Sequence, residues 1–294
     1  MFYQSVVAGL VTALCWGTAD FSSRGQSERI GYYKTIVYSM LITLVVLIPL
    51  TPVLSPRLAA PIFPLLALVV AGLLNFVAFT FLYRAFHKGV VSVVAPVAYT
   101  YPAITTVLSI VILGAVLTSV QILAIAGIIL GVILTSTRLS ELRQSLSGRA
   151  PNLTAGFIPA LTAAVFFGGV YVGVGYAAPA VSFVLPVMIL RIMGISVGAI
   201  LAPALKQDVR PSRATFSKGL VLIGVLEAVG FLALTYGITV PGGSLPVVTA
   251  ISGMGGAVAA SYGLVLLKER LELNQIAGVV LSLLGVFVLL YLGG

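Results

Sequence analysis

Lys218 to Tyr236 reads KGLVLIGVLEAVGFLALTY, an apolar run long enough to span a bilayer, with one ionisable residue, Glu227, in its middle. Nine residues separate Glu227 from Lys218. At about 1.5 Å per residue in a helix the carboxylate then lies roughly 13 Å deep, near the centre of a hydrocarbon layer about 30 Å thick. Charge at that depth is costly, so such a residue either serves a function or hydrogen-bonds a neighbouring helix as part of the structure. Gly224, Glu227 and Phe231 are spaced i, i+3, i+7 and share one helix face.

The rest of the chain has the same character. Of 294 residues 60% are hydrophobic and 8% charged, far from the composition of an ordinary soluble domain. A net charge of +9 in a soluble protein would suggest nucleic acid as a partner. Here the basic residues sit between apolar runs, which is a topology signal, so no nucleic-acid partner is expected. Cys15 is the single cysteine and leaves no intramolecular disulfide to form. The N-terminal MFYQSVVAGLVTALCWG lacks a basic leader and reads as a first membrane span.

Apolar runs bounded by charge, Pro or Gly fall at about 4–23, 31–53, 62–86, 89–113, 119–137, 154–176, 181–204, 218–238, 243–267 and 274–292. The expected fold is therefore an all-α polytopic membrane protein of ten transmembrane helices. The longest polar connection lies near the middle of the chain, around Arg138, Glu141, Arg143 and Arg149. It divides the chain into residues 1–137, a cytoplasmic linker at 138–153, and residues 154–294.

Fourteen of the sixteen Lys and Arg fall in connections on one side, only Arg57 falls on the other, and Arg191 lies inside a span. The positive-inside rule then places both termini outside the cytoplasm. The halves also repeat. Ala71, Gly72, Asn75 and Phe79 align with Ile223, Gly224, Glu227 and Phe231 at a shift of 152. IAGIILGVIL from Ile125 aligns with IAGVVLSLLG from Ile276, and Trp16-Gly17 with Phe167-Gly168, at a shift of 151. Five spans per copy is an odd number, so the second copy must enter the membrane inverted. The connections agree: those after the first four spans carry three, one, two and no basic residues, their counterparts none, four, none and two. Inverted repeats of this kind build many secondary transporters, with the solute near the midplane where the copies meet.

Leu266 to Leu289, LLKERLELNQIAGVVLSLLGVFVL, carries a glutamate, glutamine and glycine pattern that resembles the drug/metabolite transporter superfamily, in particular its EamA-type members. Trp16-Gly17, Ser92 with Pro96 and Pro102, and Arg191 fit the same resemblance, which covers essentially the whole chain. Val116-Leu117-Thr118 stands in the first copy where Lys268-Glu269-Arg270 stands in the second, as expected if that end of the first copy faces outside. The resemblance implies ten helices in two EamA repeats, located in the plasma membrane, in a carrier of small metabolites or drugs that often exports amino acids.

The candidate solute site follows from depth and face. Asn75 is the repeat mate of Glu227 at similar depth, and Phe79 and Phe231 lie one turn away on the same faces. Arg191, a basic residue within a span, needs a carboxylate, from Glu227 or from the solute. The two residues either bind the ends of an amino acid or form a structural ion pair. Trp16, Tyr99 and Tyr101 complete the candidate set, and Glu227 is the candidate coupling group. Ser252 to Gly256, SGMGG, permits close helix packing or a break in the ninth span. Asp20, four residues before Arg24, reads as half of a surface pair, and His87 beside Lys88 as interfacial. No cluster has metal-ligand spacing and no P-loop occurs, so neither metal nor other cofactor is expected and transport would run on a gradient. Gly127 to Gly131 is a GxxxG with Gly278 to Ser282 as counterpart, allowing close contact within the chain or in a homodimer. The expected function is alternating-access transport of a small organic solute, an amino acid or related metabolite, in the export direction. The rivals are an intramembrane enzyme using Glu227 as acid or base, and a channel.

Overall fold

The computed structural model describes residues 2–54, 61–88, 94, 97–147, 153–212, 215–266 and 272–292, all helix or connection with no strand among them. Arg57, Ser92, Pro96, Arg149 and Lys268-Glu269-Arg270 lie outside the described residues, as do the side chains of Arg24, Glu141, His87 and Lys88. The helices are α1 (Phe2–Ile30), α2 (Tyr32–Leu47), α3 (Ile62–Lys88), α4 (Tyr101–Leu113), α5 (Ser119–Ser136), α6 (Leu139–Leu146), α7 (Leu153–Val181), α8 (Leu185–Leu201), α9 (Lys218–Thr239), α10 (Leu245–Ser252), α11 (Gly255–Leu266) and α12 (Leu273–Leu292). Seven helices are long and apolar enough to cross a membrane, and Tyr101–Leu113, Leu185–Leu201 and Leu245–Ala259 are shorter apolar helices.

Several boundaries differ from the sequence expectation for local reasons. The first helix runs to Ile30 rather than 23, because nothing in FSSRGQSERI breaks a helix; Gly31, at φ +85°, ends it in a conformation that side chains avoid. The ninth apolar run bends at Gly253 and Met254, where the Met254 amide bonds the Ile251 carbonyl in a tightened turn before α11 resumes. The polar connection expected as a plain linker contains the short helix α6, whose backbone amide at Ser140 donates to the Glu272 carboxylate at 3.1 Å. Gly114, left-handed at φ +66°, stops α4, and a reciprocal Thr118–Gln121 capping box starts α5.

Packing is close because small residues meet. α1 lies against α9, where Ala8 faces Gly237, Thr12 Oγ donates to the Gly230 carbonyl at 3.0 Å, and Ser5 Oγ to the Gly237 carbonyl at 2.8 Å. Away from water such hydroxyls have only helix carbonyls to satisfy them, so they also join helices. α5 packs on α12 with Gly131 against Gly278 and Ser282. Gly131, Gly278 and Ser282 of the small-residue faces thus meet each other inside the chain, while a Cβ on Gly127 would meet only Leu281, at 3.9 Å. α3 packs on α7, α2 on α8 and α9, and α4 on α7 and α10, enclosing a core around Leu68, Val170, Val187 and Leu234.

Candidate solute-binding site

α8 begins with Leu185-Pro186, a proline tolerated at a helix start, and carries Arg191 inward on a face with the buried Leu190, Gly194 and Gly198. Only 1% of Arg191 is exposed. α9 starts at the Ser217 cap, whose hydroxyl accepts from the Leu220 amide, and brings Glu227 to face it. Arg191 Nη2 donates to Glu227 Oε2 at 2.6 Å, a charge-assisted bond in a poorly hydrated setting. The guanidinium carbon stands 4.4 Å from the centre of the Phe231 ring, a cation–π contact one turn beyond Glu227. Among the described residues its Nε meets no hydrogen-bond partner. The guanidinium therefore keeps one buried N–H unpaired.

Glu227 stays partly accessible at 15% of its side chain, because a cleft opens beside it. The cleft runs from Arg191 and Glu227 past Phe79 and Met40 to Ser39 and Thr35 on α2 and to Asp20 and Ser23 on α1. Its lining extends toward the helix ends that carry Arg29, Lys34 and Lys218, the basic side of the sequence. Its water-accessible space is about 30 Å³. That holds a few waters, far below the roughly 300–1,000 Å³ of a typical small-molecule site. A solute must widen it.

Behind the ion pair the chain is sealed by rings. Phe231 packs on Trp16 at 4.8 Å, Trp16 on Tyr171 at 6.0 Å, Tyr171 on Tyr101 at 5.2 Å, and Tyr101 on Phe167 at 6.1 Å, which meets Phe79 edge-on at 5.2 Å. Trp16 fits because residue 230 is glycine; a Cβ there would come within 2.7 Å of the indole.

Of the residues singled out in the sequence, Arg191, Glu227 and Phe79 line the cleft, and Trp16 and Phe231 back it. Tyr101 bonds Ser252 at 3.2 Å, away from the cleft, and Asn75 is fully buried with neither amide atom partnered among the described residues. Tyr99 joins the cleft indirectly, donating to Asp20 Oδ2 at 3.2 Å. Asp20 is the residue the sequence reading passed over. Its carboxylate is on the cleft wall, and the Arg24 four residues on made it read as a surface ion. Tyr171, Ser23 and Ser39 carried no sequence signal beyond ordinary packing.

Residues 4–137 and 154–291 each match the EamA-like transporter family. The chain belongs to that family. The EamA family lies within the drug/metabolite transporter superfamily, and its members are transporters, so this EamA chain is a multi-pass membrane protein of a transporter family. None of the curated proteins compared matches it. A solved crystal structure, described only as that of a protein, resembles it with a TM-score of 0.77 at 16% identity, covering 98% of this chain and 97% of that one. At that identity the likeness speaks to the fold alone.

Proposed function

We propose that this EamA chain is a secondary carrier that moves a small zwitterionic or anionic organic solute, an amino acid or related metabolite, across the plasma membrane by alternating access. The observation that carries the reading is the cleft floor. Arg191, with Nε free, offers donors for a carboxylate, while Glu227 and Asp20 offer acceptors for an ammonium group, and Phe79 supplies an apolar wall. Binding replaces the Arg191–Glu227 bond with bonds to the solute, so the buried charges are never left bare. Glu227 is also the group proposed to take a coupling proton when it loses Arg191. The cleft opens on the basic side, taken as cytoplasmic, which is where an exporter loads.

The proposal includes ten spans in two inverted copies. Its support is that contacts recur when the halves are exchanged. A Cβ on Gly72 would meet Met193 at 2.5 Å and one on Gly224 would meet Ile42 at 2.5 Å; each residue of the first contact stands 151 or 152 from its counterpart in the second. Gly17 against Gly255 and Gly168 against Ile104 are a second such pair. Tyr101 and Ser252, 151 apart, bond each other.

The test is counterflow in proteoliposomes. Purified protein preloaded with an unlabelled amino acid should accumulate the labelled one transiently and saturably, and Arg191→Met should abolish this. Unsaturable flux would instead indicate a channel, and chemical conversion of the solute an enzyme.

A further inference from the structure

Helix α6 packs along no other helix among the described residues, yet its start is firmly placed. The Ser140 amide and hydroxyl both donate to the Glu272 carboxylate, the amide at 3.1 Å. Asn274 Nδ2 donates to the Leu134 and Thr137 carbonyls at 3.0 and 2.8 Å, and Gln275 Nε2 to the Thr135 carbonyl at 2.9 Å. The last carbonyls of α5 are thus satisfied by the start of α12, and the chain turns at the extended Thr137. α5 and α12 are both long and apolar enough to cross a membrane, so α6 begins at the level where two spans leave the hydrocarbon.

Eight residues of helix are not stable in water on their own. A surface must cover α6, and its sequence, LSELRQSL, says which kind. Leu139, Leu142 and Leu146 are spaced i, i+3, i+7, within about 60° of one another at roughly 100° per residue. Arg138 and Arg143 fall on the two edges of that stripe, and Ser140, Glu141 and Gln144 fall away from it. Leu139 is 38% exposed, Leu142 is half-buried, and Arg143 and Gln144 are exposed. Arg138 also stands in the field of the Glu272 carboxylate. A leucine stripe edged by guanidinium groups suits the membrane boundary, where apolar side chains enter the acyl region and the cations reach the headgroup phosphates. A protein partner fits poorly, because one face of an eight-residue helix offers far less than the roughly 800 Å² per side of a stable complex.

We propose that α6 is an interfacial helix that binds anionic phospholipid, with Leu139 and Leu142 in the acyl boundary of the leaflet on the basic side and Arg143, flanked by Arg138, on the headgroup phosphates. The planar guanidinium matches a phosphate with two donors at once, which a neutral headgroup surface does not reward with net attraction. The connection between the halves is thereby fastened to the bilayer, while the Ser140–Glu272 clasp ties the same helix to the second half. This holds whatever the solute, and stands apart from the carrier reading.

The test uses the full-length protein with Cys15→Ala, carrying Leu142→Cys or Gln144→Cys labelled with a polarity-sensitive nitrobenzoxadiazole. It is placed in vesicles of phosphatidylcholine alone or mixed with phosphatidylglycerol. The label at 142 should emit to the blue of the label at 144 and be quenched at least twofold more by lipid bearing a nitroxide near its headgroup, the more so with phosphatidylglycerol present. In native mass spectrometry the unlabelled protein should retain phosphatidylglycerol over phosphatidylcholine, and Arg143→Gln should cut that ratio about fivefold, as expected for one cation near an anionic surface. If both labels report water in both kinds of vesicle, α6 is a solvated linker and the proposal fails. A label at 142 that is shielded equally in detergent and in vesicles, with no nitroxide quenching, would mean that the leucines bury against protein, which overturns it as well. Equal retention of the two lipids by the unaltered protein would remove the headgroup contact. Leu139→Cys gives an independent position should Leu142→Cys fail to fold.

Discussion

Glu227 and Arg191 are each tolerable in the membrane only because of the other. Glu227→Gln leaves a guanidinium that is 1% exposed without its counter-charge, a loss that costs about 3–5 kcal/mol when a buried pair is broken. The expected outcome is a clear drop in thermal stability in detergent, recovered by adding Arg191→Met, together with loss of pH-driven accumulation. An unchanged melting temperature with unchanged pH dependence would remove Glu227 from both roles. Asp20→Asn should behave otherwise. Its carboxylate has an accessible face and one hydroxyl partner, Tyr99, so the fold should stand while the half-saturation concentration for a cationic or zwitterionic solute rises several-fold. The contrast explains what the sequence could reveal. A lone carboxylate amid nineteen residues of apolar chain declares itself, as does an arginine inside a span. Asp20 did not, because a cation at i+4 gave it an innocent explanation, and only the backbone's path shows that it turns to the cleft.

At the scale of elements, the glycine stripes illustrate why periodicity located helices but not their partners. GxxxG at Gly127 and Gly131 was compatible with contact inside or between chains; the structure sets Gly131 against Gly278, and a Cβ on Gly278 would come within 2.5 Å of the Gly131 carbonyl. Gly278→Val should therefore destabilise the monomer, by about 1–3 kcal/mol as overpacking generally does, and leave its measured mass in detergent unchanged. The connection between α8 and α9 shows the converse, a loop with no periodic signal that is nonetheless tied down. Asp208 accepts from the Arg210 amide at 3.0 Å and from Lys34 Nζ at 3.1 Å, and Tyr38 donates to the Val209 carbonyl at 2.9 Å. The Arg210 amide first, then Lys34, hold the Asp208 carboxyl below its ordinary range. A depressed carboxylate contributes at and above its unfolded value and stops contributing as pH falls through the folded one. Amide-exchange protection of residues 207–212 should thus be constant near neutrality and fall only below the usual carboxylate range, and Asp208→Asn should show the lower protection already at pH 7.

For the whole molecule, class and helix positions were legible because burial in lipid imposes one pattern on every span, whereas the aromatic seal from Phe79 to Phe231 was not, since ring contacts join residues 16, 101, 167 and 171 through tertiary packing alone. Orientation rests on charge. With ten spans, Arg24, Arg29, Lys34, Arg84 and Lys88 in the first copy, and Lys206, Arg210 and Lys218 in the second, lie at helix ends or in connections that can share one face only if the copies are inverted. A parallel arrangement would scatter them over both faces against the positive-inside bias. A fluorescent reporter that matures only in the cytoplasm should stay dark when fused after residue 294 and light up when inserted after Arg143 in the connection between the halves. Bright fusions at both positions would mean that an even number of spans lies between them, so that both sites share one side, which would overturn the inversion itself; a bright C-terminus with a dark insertion would keep the inversion and reverse the molecule, making the basic cleft the extracellular one and turning the proposed exporter's loading site into an importer's.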